Sequence, residues 1–142
     1  MAERSPVQKL LWFVWPLLLL GGLLLFRSLT DEQVSAGAKL YQLHCANCHM
    51  EAGQGLKALI PPLAGADYVQ QHGADMACLI VNGIATPMTI NGTTYTQPMP
   101  AIEGLDAREL TIILNYIRNS WGNEAEELRI AQVEEALAGC GE

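Results

Sequence analysis

The sequence predicts a mostly α-helical protein: an N-terminal transmembrane helix, a helical domain carrying one small β-hairpin, and an extra C-terminal helix. Three observations predict it. Leu10 to Phe26 is a run without a single charge. Two later segments repeat apolar residues at helical spacing: Val34, Ala38, Tyr41, Cys45 and Cys48 in one, and Leu110, Ile113, Leu114, Ile117 and Trp121 in the other. Between them, Asn91-Gly92 is flanked by β-branched and aromatic residues, the pattern of a tight hairpin. The expected boundaries are 1–29 for the N-terminus and anchor, 30–122 for the helical domain, and 123–142 for an acidic helical extension.

Composition narrows the possibilities. A chain of 142 residues has the size of one domain, and a hydrophobic fraction of 50% with 16% charged residues excludes a disordered chain. The formal net charge of -7 argues against a partner read through phosphates, so nucleic acid is excluded. All acidic residues but Glu3 lie from Ser28 onward, against Lys39, Lys57, Arg108, Arg118 and Arg129. A docking partner would then be basic, or the contact mainly apolar, with Lys39 and Lys57 as a local positive patch.

As a helix, Leu10 to Phe26 would span about 25 Å, slightly less than a hydrocarbon core of about 30 Å. Lys9 and Arg27 could snorkel outward to cover the difference, and Trp12 and Trp15 fit an interfacial belt. Pro16 and Gly21-Gly22 are tolerated in lipid. Arg4 and Lys9 before the run, against Asp31 and Glu32 after it, orient the N-terminus to the cytoplasm. The expected location is a bacterial inner membrane, crossed once, with the main domain on the periplasmic side. The alternative is a cleaved secretory signal, with Val34-Ser35-Ala36 as its small-residue site. Against cleavage, Thr30 and Gln33 read as a capping box and Leu29 as a staple onto Val34, so a helix would begin near Asp31.

Cys45-Ala46-Asn47-Cys48-His49 is the attachment sequence of a c-type haem. Two thiols one helical turn apart can both reach one edge of a flat macrocycle, and the next residue offers a ring nitrogen to the iron. A thioredoxin-like pair would follow a strand, whereas helical spacing precedes Cys45. A zinc site would need a fourth ligand, and adjacent Cys48 and His49 close poorly on one tetrahedral ion.

With this motif in place, residues 31 to 122 resemble the class I cytochrome c family. Pro61-Pro62-Leu63-Ala64-Gly65 is similar to the family's P-x-L-x-G segment. The resemblance implies that the Pro61 carbonyl accepts a hydrogen bond from His49 and that Leu63 lines the haem face. It also implies a sulfur ligand from a downstream loop. Met50 adjoins His49 and cannot reach the other face, while Met76 lies in a helical stretch stopped by Gly83 and reads as core. Met88 and Met99 both sit in proline-marked loops. Gln97-Pro98-Met99-Pro100 resembles the family's axial loop, so the implied iron ligands are His49 and Met99, with Met88 as the alternative. The implied cofactor is one covalent haem c per chain, held through Cys45, Cys48, His49, Pro61, Leu63 and Met99.

Thr89 to Tyr95 forms the hairpin, an excursion that would cover a haem edge or a neighbouring subunit, or be a plain surface ribbon. Asp106 and Glu109 start the next helix as a second capping box, and Gly122 ends it. This matches the family's C-terminal helix, with Gly37 as the small residue that lets the first helix cross it closely. Tyr41 and Tyr116 read as packing. His44 reads as a polar surface residue, and His72 has no partner at useful spacing. No Ser/His/Asp set, carboxylate pair or phosphate loop is visible.

Beyond residue 122 the chain exceeds the family pattern. Glu124, Glu126, Glu127, Glu134, Glu135 and Glu142 make the tail acidic, while Leu128, Ala131, Val133 and Leu137 suggest a short helix with one apolar side. In an oxidising compartment Cys78 and Cys140 can form a disulfide that pins the tail; two unlinked thiols are the alternative. The resemblance implies a one-electron carrier and not an enzyme. Its donor would be a quinol-oxidising complex and its acceptor a terminal oxidase, reached as a tethered shuttle or from a fixed position as a haem subunit. A haem sensor or peroxidase-like protein with an open sixth iron position is the alternative, and a thiol oxidoreductase using Cys45 and Cys48 a third.

Overall fold

The structure, a computed structural model, describes residues 6–140. The expectations resting on Arg4, on the free amino group and on Glu142 lie outside the described residues, as do those resting on the side chains of Lys9, Trp12, Leu29 and Thr30. In chain order the elements are helices α1 (Pro6–His44), α2 (Ala46–His49) and α3 (Asp67–Gln71), a 3-10 turn (Gly73–Asp75), helix α4 (Met76–Asn82), strands β1 (Met88–Ile90) and β2 (Thr93–Tyr95), and helices α5 (Ala107–Arg118) and α6 (Ile130–Ala138). The chain divides into one unit that ends at Gln33 and a second that begins at Val34.

The described part of the first unit belongs to α1, and it overturns two expectations. Among the described residues no helix is long and apolar enough to cross a membrane. The transmembrane anchor over Leu10–Phe26 is therefore not supported, nor is the single-pass placement in a bacterial inner membrane. The described part of α1 carries Pro16 within it. The helix then continues through Arg27, Asp31 and Glu32 instead of ending at an interface. The second correction concerns the expected helix start near Asp31. A cap at Thr30 requires non-helical backbone there, whereas α1 runs without a break for 39 residues, and no glycine or proline between Gly22 and Gly37 interrupts it.

In the second unit, the C-terminal half of α1 meets α5 at Gly37. A Cβ on Gly37 would lie 2.5 Å from the Cβ of Tyr116 and 3.0 Å from the Ile112 carbonyl oxygen, so the two backbones approach closely only because this residue has no side chain. Tyr41, Tyr116 and Trp121 pack around the crossing, with ring centroids 4.8 to 5.7 Å apart. The buried line on α1 is Gly37 and Tyr41, continued by Cys45 just past its end. Val34, expected on that line, is 60% exposed. Helix α5 opens with the Asp106–Glu109 capping box, its two bonds 2.8 and 3.1 Å long, and buries Leu110, Ile113, Leu114 and Ile117 against Val69, Ala77, Ile80 and Val133.

The hairpin has the register Met88↔Tyr95, Thr89↔Thr94 and Ile90↔Thr93. Asn91 and Gly92 both take positive φ, 49° and 74°, as a two-residue turn demands. The turn is not free: the Asn91 side chain accepts from Asp67 N (2.9 Å) and donates to Gly65 O (3.1 Å).

The tail is docked by polar bonds as well as by apolar burial. Asn115 on α5 donates to Leu128 O (3.0 Å) and accepts from Leu128 N (2.7 Å). Leu128 lies in the irregular segment ahead of α6, which begins only at Ile130, where Gln132 accepts from Arg129 N (2.9 Å). Val133 is fully buried, but Ala131, expected beside it, is exposed. Cys140, just past α6, is disulfide-bonded to Cys78 on α4, with a Cα–Cα distance of 5.5 Å.

Candidate functional site

Helix α1 ends where the site begins. Cys45 N donates to Tyr41 O (2.8 Å), and the one-turn helix α2 then closes as His49 N donates to Cys45 O (2.9 Å). The Tyr41 hydroxyl donates to the Met50 carbonyl (2.6 Å), fixing the chain as it leaves α2. Cys45 is buried and Cys48 exposed, and neither is in a disulfide. Burial, with the neighbouring Cys48, pushes the Cys45 thiol up to about 11.

His49 is positioned by the loop that follows. Its backbone carbonyl accepts from Gly55 N (3.0 Å), and its ring Nδ1 lies 3.0 Å from the Pro61 carbonyl oxygen. A carbonyl can only accept, so Nδ1 carries the proton and the lone pair of Nε2 is left free. Burial lowers the imidazole below its ordinary range and so favours the neutral form that binds metal, outweighing the opposite effect of the Pro61 bond.

These residues open onto a cavity of about 340 Å³. Cys45, Cys48 and His49 line it together with Pro61 and Leu63. Met76, Leu79 and Ile80 come from α4, and Met88, Ile90 and Tyr95 from the hairpin. The hairpin is therefore a wall of the cavity and not a surface ribbon. Gln97, Pro98, Met99 and Pro100 line it too, and among the described residues no Asp, Glu, Lys or Arg does. Met99 is half-buried, and its backbone is fixed by paired bonds with Ile84 (2.8 and 2.9 Å). That approach passes Gly83, where a Cβ would lie 2.6 Å from the Met99 carbonyl oxygen.

Both candidate methionines, Met88 and Met99, thus reach the same cavity, and so does Met76; Met50 does not. His44 is a correction: it is half-buried and lines the cavity, because it closes the last turn of α1 beside Cys45. Sequence reasoning missed two polar side chains. Asn123 is buried and bonded to Leu63 O, Gly65 N and Ile117 O. Arg118 is buried too, donating to Val69 O (2.7 Å) and Glu126 O (3.3 Å). Neither belongs to a motif, and the helix before Asn123 ends at Arg118 with Asn119 as its cap, so Trp121 and the expected stop at Gly122 lie in the turn beyond it.

The arrangement fits a flat, largely apolar group. The cavity size falls in the range of cofactor sites, its walls are largely apolar, two cysteines one turn apart line it, and among the described residues His49 Nε2 has no protein partner.

Comparison with known proteins points the same way. The cytochrome c family model matches residues 34–121. The chain is 33% identical over 110 residues to cytochrome c-552 of Thermus thermophilus, covering 75% of this chain and 69% of that protein. It is 35% identical over 95 residues to the cytochrome c subunit of the quinone alcohol dehydrogenase of Gluconobacter oxydans, covering 66% of this chain but 20% of the subunit. The gluconate 2-dehydrogenase cytochrome c subunit of Pantoea cypripedii is 32% identical over 100 residues, covering 67% of this chain and 22% of the subunit. The chain thus spans about a fifth of the dehydrogenase subunits it matches.

Proposed function

This chain belongs to the cytochrome c family and carries covalently bound haem c, and from that premise we propose that Cys45, Cys48, His49 and Met99 hold the haem of a one-electron carrier working between two redox complexes. The bound haem supplies a one-electron iron couple. Cys45 and Cys48 anchor it as thioethers, and His49 offers Nε2 to the iron. The Pro61 carbonyl holds the imidazole in the right tautomer and strengthens it as a ligand. Met99 offers its sulfur, which raises the reduction potential relative to more donating ligand sets. Leu63 and the apolar walls keep water out, which disfavours the more highly charged oxidised form.

The observation that carries this reading is that Cys45, Cys48, His49 and Met99 all line one apolar cavity, with His49 Nδ1 engaged by the Pro61 carbonyl. Held by both His49 and Met99, a haem iron would have no position left for a substrate, which would suit electron transfer and not catalysis. Spectra of the haem-loaded Met99→Ala and Met88→Ala variants test it. Loss of the weak sulfur-to-iron absorption band is expected in Met99→Ala alone; loss in Met88→Ala alone would transfer the ligand role to Met88.

The donor in this reading is a quinol-oxidising complex and the acceptor a terminal oxidase or a similar higher-potential centre. The dehydrogenase relatives are cytochrome subunits, which favours a fixed haem subunit over a diffusing shuttle. The docked C-terminal tail also favours fixed contacts, because a shuttle needs a small, quickly released interface. Purification in detergent at high salt separates the two: a subunit stays with its complex, and a shuttle elutes alone.

A further inference from the structure

We infer that Asn123, which does not line the cavity, is a positioning residue that sets the orientation and donor strength of the His49 imidazole through the segment Leu63–Gly65. The inference rests on the reading of His49 as an iron ligand. Asn123 is 3% exposed, and its amide is committed three ways. Nδ2 donates to Leu63 O (2.9 Å) and to Ile117 O (2.8 Å), while Oδ1 accepts from Gly65 N (2.9 Å). One side chain therefore ties this loop to the C-terminal turn of α5.

The loop has little slack with which to absorb a change at Asn123. Leu63 N and Ala64 N both donate to Gly53 O (2.7 and 2.9 Å), and Gly65 O accepts from Asn91 Nδ2 (3.1 Å). Between Leu63 and the Pro61 carbonyl stands only Pro62. Its ring fixes its own φ, and it restricts the backbone of Pro61 before it. A shift of Leu63 is therefore passed to the Pro61 carbonyl, which receives the His49 Nδ1 proton. A weaker bond there makes the imidazole a poorer electron donor and stabilises the oxidised iron less. Removing the Asn123 amide should raise the reduction potential although the residue touches neither ligand.

The test compares haem-loaded Asn123→Ala with Asn115→Ala. Asn115 also makes two backbone bonds, but to Leu128 in the tail, so it reports loss of stability without a link to the loop. Asn123→Ala is expected to keep the sulfur-to-iron band, to raise the potential, and to let the His49 ring N–H exchange about tenfold faster. Asn115→Ala is expected to lower the unfolding midpoint and leave both other readouts at the parent value. An unchanged potential in Asn123→Ala, or an equal rise in Asn115→Ala, overturns the inference. Should Asn123→Ala fail to fold, native-state hydrogen exchange on the unmodified protein decides. The Gly65 amide and the His49 ring proton should open together across a denaturant series, and independent opening overturns the inference. A parent protein lacking the sulfur-to-iron band defeats the ligand reading itself, a result distinct from these.

Discussion

His49 and Pro61 are joined by a hydrogen bond of 3.0 Å from the ring Nδ1 to the carbonyl oxygen, and Gly55 packs so tightly on the same carbonyl that no side chain fits there. A Cβ on Gly55 would lie 2.6 Å from the Pro61 oxygen, would overlap the Ile60 oxygen, and would sit on backbone at φ 66°. Gly55→Ala should therefore cost about 2–4 kcal/mol, combining left-handed strain with overpacking. It should also raise the reduction potential, because the displaced atom is the acceptor for His49. Denaturant titration and redox titration of the haem-loaded chain check the two effects. Gly92→Ala is the comparison: φ is 74° but nothing lies within 4 Å, so strain alone of about 1–2 kcal/mol and no change in potential are expected.

Gly37 tests packing without backbone strain. In an open helix Gly→Ala gains about 1 kcal/mol from propensity. Here the new methyl meets Tyr116 Cβ at 2.5 Å and the Ile112 carbonyl at 3.0 Å, and neither is the far end of a flexible side chain. Overpacking of about 1–3 kcal/mol should win, so Gly37→Ala destabilises. Gly21 and Gly22, on the same helix with nothing within 4 Å, should show the opposite sign on the same substitution. Equilibrium unfolding by circular dichroism reads all three.

The part of the cavity lining that was legible is written in short contiguous motifs. Cys45 to His49, Pro61 to Leu63 and Gln97 to Pro100 each come as a unit, and Asn91-Gly92 announces its own turn. Asn123 and Arg118 were not legible, since a side chain that bonds backbone groups 49 to 60 residues away leaves no periodic trace. Val34 shows a different limit. Helical spacing states which side a residue faces and not whether a partner reaches that far along the helix. The Thr30 cap failed for a third reason: a capping sequence permits a helix start but does not impose one where the preceding residues are already helical. The expected anchor failed in a similar way, because Leu10–Phe26 announced an apolar run but not where the helix around it would stop.

Tyr41 gives a pH dependence. It is fully buried, and burial above all, helped by Cys45 and Tyr116, holds its phenol well above the ordinary tyrosine range. The unfolded chain ionises near pH 10 while the folded one does not, so the stability contributed by Tyr41 is complete below about pH 10 and is lost as pH rises beyond it. Tyr41→Phe should cost about 1 kcal/mol at neutral pH through the lost bond to Met50 O, and this difference should shrink above pH 10. Phenolate absorbance should show one tyrosine titrating only with unfolding, and that component should be missing in Tyr41→Phe.

The disulfide between Cys78 and Cys140 closes a separation of 62 residues, for which chain entropy predicts a stabilisation of about 4 kcal/mol. Cys78 lies on α4, whose Met76, Leu79 and Ile80 line the cavity, while Cys140 follows α6 in the tail. A thiol reductant, or the paired Cys78→Ser and Cys140→Ser substitutions, should lower the unfolding free energy by up to this amount without releasing haem, since thioethers resist thiol exchange. Thermal unfolding with and without reductant measures it. The tail retains Val133 in the core and the Asn115 bonds to Leu128, so part of its docking should survive reduction. A loss below about 1 kcal/mol would mean that these contacts hold the reduced chain nearly as well, and that the unfolded state is already compact enough for the cross-link to constrain it little.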